Sequence, residues 1–395
     1  MKNYFWSILL IASIISSCKT DFELNAPYKT IPVVYGLLDQ SLDTQFIKIN
    51  KSFLGNSNNA NFASINDCTQ FESLKAFIEQ YDQNDRVVRT DTLKEMMFGN
   101  LDPGIFYEDS QKIYYLETPL ALAPPAPEEP NDFFNEDYTY KLNVSVPDKN
   151  LNFSAQTDLV NRPLIFDFLS KITLQLNGFR CADNDLATTD EYFDQRLDWE
   201  TTLNGKRYEL VLRFAYVEHF LNGDTAQKFI DWDLGGQTSV NTDGGENMFK
   251  VVSGSSFFEM LQGRLSSYDL EKQVEKRTFN SKAIEFILTA GNEDLNTYMQ
   301  VNEPVTSVVT ERPIFTNVEN GIGLFASKFT MSSKNYPGFA NSYLSSGTIL
   351  ELLTNPLTSQ YKFCRNTTTC PPNSNSGPDQ ISHIFLGSGL DVSCN

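Results

Sequence analysis

Apolar residues recur at every second position along much of the chain, and a period of two predicts strands. The clearest case is "YTYKLNVSVP", which sets Tyr138, Tyr140, Leu142, Val144 and Val146 on one face of a half-buried strand. Shorter runs of β type appear in "IPVVYGLLD", "SLKAFIEQYD" and "IYYLETPL". "TQFIKINKSF" alternates imperfectly, with Phe46 and Ile47 adjacent before Ile49 and Phe53. "APPAPEEP", residues 123–130, cannot sit inside a sheet, because proline lacks the amide donor. It reads as a stiff loop between strands, with a proline-rich recognition peptide as the other reading.

"LVNRPLIF", residues 159–166, marks a boundary at Pro163, and a second strand region follows. "ITLQLNGF" alternates. "RLDWETTLNGKRYELVLRFAYVEHF" places Trp199 before an Asn204-Gly205 turn and Tyr208, Leu210, Leu212 and Phe214 on one face after it. Asn-Gly between alternating runs predicts a β-hairpin. The period then lengthens. In "SGSSFFEMLQGRLSSY" the serines are fit to cap a helix, and Phe257, Met260, Leu261 and Leu265 fall on one helical stripe. "AIEFILTA" predicts a strand and "NEDLNTYMQ" a short helix. "SGTILELLTNP" predicts another helix, stopped by Asn355-Pro356. No internal repeat of 20–50 residues is visible.

These patterns predict a mainly β chain. An N-terminal Ig-like β-sandwich spans 30–160, and a second β-rich domain of fibronectin/Ig-like type, with helical insertions, spans 161–395. Trp199 and Tyr208 resemble the core pair of fibronectin-type sandwiches. Thirty Phe and seventeen Tyr supply large area for such cores.

The first residues do not belong to either domain. Lys2 precedes an apolar run from Tyr4 to Ile15, about twelve residues and so roughly 18 Å of helix, too short for a bilayer core of about 30 Å. Ser16 and Ser17 then lead to Cys18, which resembles a bacterial lipobox. Residues 1–17 are therefore expected to be a lipoprotein signal peptide, Cys18 the lipid anchor and 18–29 a tether. Acylation by more than one chain anchors stably. Asp21 and Glu23 beside Lys19 resemble the export signal of Bacteroidota surface lipoproteins, or else are acidic residues of a solvated tether.

The formal charge of -19 argues against nucleic acid as a partner and against lying flat on an anionic membrane. Beyond Cys18, the cysteines are Cys68, Cys181, Cys364, Cys370 and Cys394, an odd number. Cys364 and Cys370 are expected to close a disulfide loop, and one cysteine should stay free; zinc lacks ligands at the right spacing. Calcium is the one cofactor with candidate ligands, at Asp231, Asp233, Asp243 and Glu246, or at Asp183 and Asp185. None of these spacings is that of an EF-hand. The only histidines are His219 and His383, both expected to be sheet residues. No G-x-S-x-G elbow or H-E-x-x-H helix occurs, so the chain is expected not to be an enzyme. Asp91-Thr92-Leu93 and Asp224-Thr225-Ala226 resemble the O-glycosylation acceptor of Bacteroidota secreted proteins.

"RPIFTNVENGIGLFASK", residues 312–328, carries a more specific likeness. Its Asn317, Gly321, Gly323 and Phe325 resemble the C-terminal signature of a family of Bacteroidota outer-membrane lipoproteins of unknown function, often encoded beside TonB-dependent receptors. Members tend to begin with a lipobox and a first β-sandwich, and "YTYKLNVSVPDKNLNFSAQT" looks like that domain's closing hairpin. The glycines themselves predict positive φ and close backbone contact in a packed strand or turn, not a phosphate cradle.

The resemblance and the missing catalytic motifs imply a non-enzymatic, lipid-anchored protein of the outer membrane, facing the cell surface. It would bind a ligand or serve a TonB-dependent receptor. Alternatives are an adhesion or structural lipoprotein and a cryptic glycan or peptide hydrolase. An exposed aromatic row would favour ligand capture, a flat apolar patch docking or adhesion, and converging carboxylates of shifted pKa a hydrolase.

Overall fold

The computed structural model describes residues 30–53, 62–99, 104, 110–118, 133–162, 173–174, 176–182, 185–265, 274–279, 283–303, 314–333, 343–344, 348–349, 351–352 and 358–363. Expectations for Cys18, the tether, the proline-rich loop, Asp183, Cys364, Cys370, Cys394 and His383 fall outside the described residues. Among the described residues no helix is long and apolar enough to cross a membrane.

The chain is mainly β. Its strands are β1 Pro32–Asp39, β2 Thr44–Lys51, β3 Lys75–Tyr81, β4 Val87–Thr92, β5 Lys94–Gly99, β6 Ser110–Glu117, β7 Thr139–Val146 and β8 Leu151–Asp158. There follow β9 Thr173–Leu174, β10 Asn177–Ala182, β11 Asp185–Tyr192, β12 Asp194–Glu200, β13 Arg207–Phe220, β14 Thr225–Thr238 and β15 Asn247–Ser253. The last are β16 Val274–Thr278, β17 Ile284–Gly291, β18 Val318–Glu319, β19 Ile322–Ser332 and β20 Tyr343–Leu344. Helices among the described residues include α1 Asn66–Thr69, α2 Gly254–Leu265 and α3 Glu293–Asn302. Thr348, Ile349, Glu351 and Leu352 are also helical, where the last helix was expected.

One nine-stranded sheet runs β14-β13-β17-β19-β1-β2-β6-β5, with β16 beside β13. A five-stranded sheet, β18-β8-β7-β3-β4, packs against its β1-β2-β6 end. The alternation read from β7 holds: Tyr140, Leu142, Val144 and Val146 are buried and the residues between them are not. They meet Val34, Ile47, Ile49 and Leu116 of the large sheet in the first core. β7 and β8 form the expected hairpin, turned by a short 3-10 segment and by Asn150 at φ 46°.

The second core lies on the same side of the large sheet's other end. Tyr208, Leu210, Leu212 and Phe214 face it, covered by the β12–β15 ribbon and by Phe257, Phe258, Leu261 and Leu265 of α2. Leu159 belongs to the first core and Val160 to the second, while Val318 and Phe325 return to the first. The predicted Asn204-Gly205 hairpin is corrected. Asn204 does take φ 60°, but β12 pairs with β15 and β13 with β14, β16 and β17. The turn instead carries the chain from one layer to the other. Trp199 and Tyr208 both end in the core, as a turn between layers allows.

A buried tyrosine hydroxyl holds a bend in each half. Tyr140 accepts from the Asn135 amide at 2.8 Å and donates to its carbonyl at 3.1 Å. Tyr208 does the same to Thr202, at 2.8 and 3.4 Å, and burial pushes its pKa up to about 12. Both rings thus satisfy their polar tip inside a core.

Candidate functional site

Residues 314–333 join the two layers. Val318 and Glu319 pair with β8 in the five-stranded sheet, and after a turn at Asn320 (φ 59°) the chain enters β19 in the large sheet, parallel to β1. Asn317 ties the two together. Its Oδ1 accepts from Phe325 N at 2.9 Å, and its Nδ2 donates to Phe325 O at 2.7 Å and Asp294 Oδ2 at 2.9 Å. Phe325 is fully buried in the first core. Gly323 takes φ +120°, and a Cβ there would lie 1.9 Å from Val34 O. Gly321 has no positive φ, but its Cβ would meet Val318 Cγ1 at 2.9 Å and Pro32 O at 3.1 Å. The signature is therefore a structural joint.

The outer face of β1-β2-β6-β5 looks different from an ordinary solvated sheet. Directly paired residues share a face. Phe46 pairs with Tyr115 and Tyr115 with Lys94; Ile113 pairs with Met96; Gln111 with Phe98; and Tyr35 with Lys48. Tyr35, Phe46, Tyr115, Ile113, Met96 and Phe98 consequently make one aromatic and apolar band. Tyr35, Phe46 and Phe98 are 45%, 51% and 49% exposed, so the band is open to solvent. Tyr298 of α3 continues it, its ring edge-on to Tyr35 at 6.2 Å. Burial and the hydrogen bond with Tyr298 raise the Tyr35 pKa.

Two lysines sit within the band. Lys48 donates to Gln111, and burial lowers its pKa. Lys94 lies 5.8 Å from the Tyr115 ring centre and pairs with Glu117 at 2.8 Å, which raises its pKa. Towards β14 the same sheet face turns polar. Arg213 holds Asp231 through two bonds of 2.7 and 2.9 Å and covers the Phe229 ring at 4.4 Å. Sequence reading missed the band. The signal was present in "QFI", where the adjacent Phe46 and Ile47 must face opposite sides of a strand.

A cleft of about 360 Å³ opens where β8, the Asn204 turn and the start of α3 meet. Asp158, Glu293 and Asp294 line it with Asn204 and Asn292. Asn292 caps α3 by accepting from Leu295 N at 3.1 Å and donates to Thr157 at 2.9 Å. Burial raises the Asp294 pKa; Asn317 opposes that, and Glu293 and Asp158 add to it.

The other predicted positions are dispersed. Asp231 is held by Arg213, Asp233 caps Gly235 N at 2.7 Å, Asp243 is exposed, and Glu246 accepts from Val240 N at 2.8 Å. Asp185 starts β11. Among the described residues no three His, Cys, Asp or Glu side chains converge to hold a metal. His219 lies half-buried on β13, its Nε2 2.9 Å from Thr278 Oγ1. Cys68 is a free thiol, and Cys181 falls in β10. Thr92 and Thr225 are both exposed.

A fully buried ion pair was also missed. Arg277 reaches Glu218 Oε1 at 3.0 Å and donates to Tyr361 O at 2.8 Å, fastening residues 361–363 to β16. Glu218 stands in phase with the buried Leu212, Phe214 and Tyr216, so a charge on the inward register was its signal. Removing either partner would strand a buried charge, so the pair is costly to break.

No protein-family model and no curated protein matches the chain. Solved structures similar to it include a β-glucuronidase from Parabacteroides merdae, at 14% identity over 41% of this chain and 16% of that one, TM-score 0.14. Another is the C-terminal globular domain of an oligosaccharyltransferase from Pyrococcus abyssi, at 12% identity over 67% of this chain and 49% of that one, TM-score 0.21. The chain thus spans about a sixth and about half of these two structures.

Proposed function

We propose that the protein is a non-enzymatic accessory of outer-membrane transport, anchored by acylated Cys18 on the cell surface and docking a TonB-dependent receptor. The observation that supports this reading is the exposed band Tyr35–Phe46–Tyr115–Phe98 on the outer face of the large sheet. Aromatic rings at the centre of a patch, with charged groups around them, are how docking surfaces concentrate their affinity. An open band of this kind has a direct cost in water, which a partner would remove. The leader and residues 312–328 support the address and the expected neighbour by their resemblance.

The test is a photo-crosslinking residue placed at Phe46 or Tyr115 in whole cells, with Asn143 on the opposite face as the comparison. Crosslinks to an outer-membrane receptor should form from the first two positions and not from the third. Equal crosslinking from Asn143 would overturn the docking face. Separately, Cys18→Ala should move the protein to the soluble fraction; retention on membranes after a high-salt wash would remove the anchor.

One observation favours a second reading, glycan hydrolysis. The acidic cleft brings Asp158, Glu293 and Asp294 together, with the Asp294 pKa raised. Asp294 is already engaged by Asn317, which weighs against a free acid. Turnover of a glycan by the parent that disappears in folded Asp294→Asn would establish it.

A further inference from the structure

The five-stranded sheet has an outer face of its own, and its register builds a groove. Phe77 pairs with Asn143, Asn143 with Ser154, and Ser154 with Glu319, one row across β3, β7, β8 and β18. The neighbouring row pairs Lys75 with Ser145 and Ser145 with Asn152. Phe77, Asn143, Ser145, Asn152, Ser154 and Glu319 line a depression of about 310 Å³. That is near the lower end of the roughly 300–1,000 Å³ of small-ligand clefts.

Several polar groups in it are already fixed in place while keeping spare capacity. Asn143 Nδ2 donates to Glu79 at 2.9 Å, which orients its Oδ1 as an acceptor. Glu79 is itself held by the Tyr81 hydroxyl at 2.7 Å. Ser154 Oγ donates to Glu319 Oε2 at 3.0 Å, leaving Oε1 to accept. Asn152 and Ser145 add an amide and a hydroxyl, each able to donate and accept. Phe77 supplies an aromatic surface in the same row.

Charge decides among ligand classes. Glu319 in the groove and Glu79 beside it are offset by Lys75, paired with Ser145, and Lys141, paired with Glu79, so no excess of either sign favours an anion or a cation. A neutral ligand with an apolar ring face and many hydroxyls matches both the ring and the mixed donors and acceptors. We propose that this groove binds a neutral saccharide. It lies on the opposite side of the sandwich from the docking band and does not depend on it.

Titration calorimetry of the purified protein against neutral hexaoses of glucose, mannose and xylose, with oligogalacturonate as the anionic arm, tests this. At least one neutral hexaose should bind with Kd at or below about 1 mM. Phe77→Ala and Glu319→Gln should each weaken it at least about tenfold, with thermal unfolding unchanged to show that both variants fold. The proposal is overturned if no neutral hexaose binds, if oligogalacturonate binds as well, or if both folded variants bind like the parent.

Discussion

On β7, Asn143 and Ser145 point outward between Leu142, Val144 and Val146, which point into the core. On β2 and β6 the outward places are taken by Phe46, Ile113 and Tyr115, opposite equally buried Ile47, Ile49 and Leu116. Two faces of one sandwich thus share an interior and differ in what they offer outside. Since the core is satisfied from both sides, folding does not require rings on one exterior and amides on the other. The difference concerns partners. An exposed band of rings gains by losing water against another surface, whereas a recessed row of fixed amides and hydroxyls suits a small polar ligand.

The largest expected effect comes from breaking the joint on which both faces hang. Gly323→Val would place a side chain 1.9 Å from Val34 O at φ +120° and force β19 away from β1. Stability should fall by at least about 3 kcal/mol, roughly 4 °C or more in Tm for a chain of this length, and both binding activities should be lost with the fold. A melting curve within 2 °C of the parent, on the order of the error of this scaling, would show that the joint is looser than its geometry implies.

A smaller effect separates interior from exterior. Leu142→Ala removes a side chain only 1% exposed and should cost about 2–5 kcal/mol, while leaving receptor affinity of the folded protein unchanged. Phe46→Ala should change stability by no more than about 0.5 kcal/mol and yet weaken the receptor at least about tenfold. Denaturant unfolding and receptor titration on both variants give the four numbers. If Phe46→Ala unfolds as readily as Leu142→Ala, the band is part of the core and not a docking face.

The interior was far more legible than these surfaces. Period-two runs marked β7 and β13, a short apolar run marked β17, and the 3.6 period marked α2, because burial leaves its record in residue type. Pairing was not legible. Asn204-Gly205 forms its turn, but local sequence cannot show that β12 will choose β15 and leave β13 to the large sheet. The parallel partnership of β1 and β19, nearly three hundred residues apart, leaves no local trace either. Outer-face rows such as Phe77–Asn143–Ser154–Glu319 exist only once register is known, so the residues look like scattered polar positions in the sequence. The 312–328 motif was visible as a pattern, and its meaning emerged with Asn317 holding both edges of Phe325.

The smallest effect belongs to the seam between the faces. Burial raises the Asp294 pKa above the ordinary 3.8, with Glu293 and Asp158 adding to the shift and Asn317 opposing it. A raised carboxyl pKa means that the folded state holds its proton more tightly than the unfolded chain. The fold carries no penalty below the unfolded pKa, and it loses stability as pH rises through the folded pKa. Asp294→Asn removes that loss while its Oδ1 can still accept from Asn317. The variant should therefore melt slightly above the parent at pH 7 and together with it at pH 3. The carboxyl remains partly open to water, so the gain should be well under about 1 kcal/mol. Lower stability of Asp294→Asn at pH 7 would mean that the charge is held by attraction to Asn317 more than it is disfavoured by burial, reversing the sign assigned to the seam.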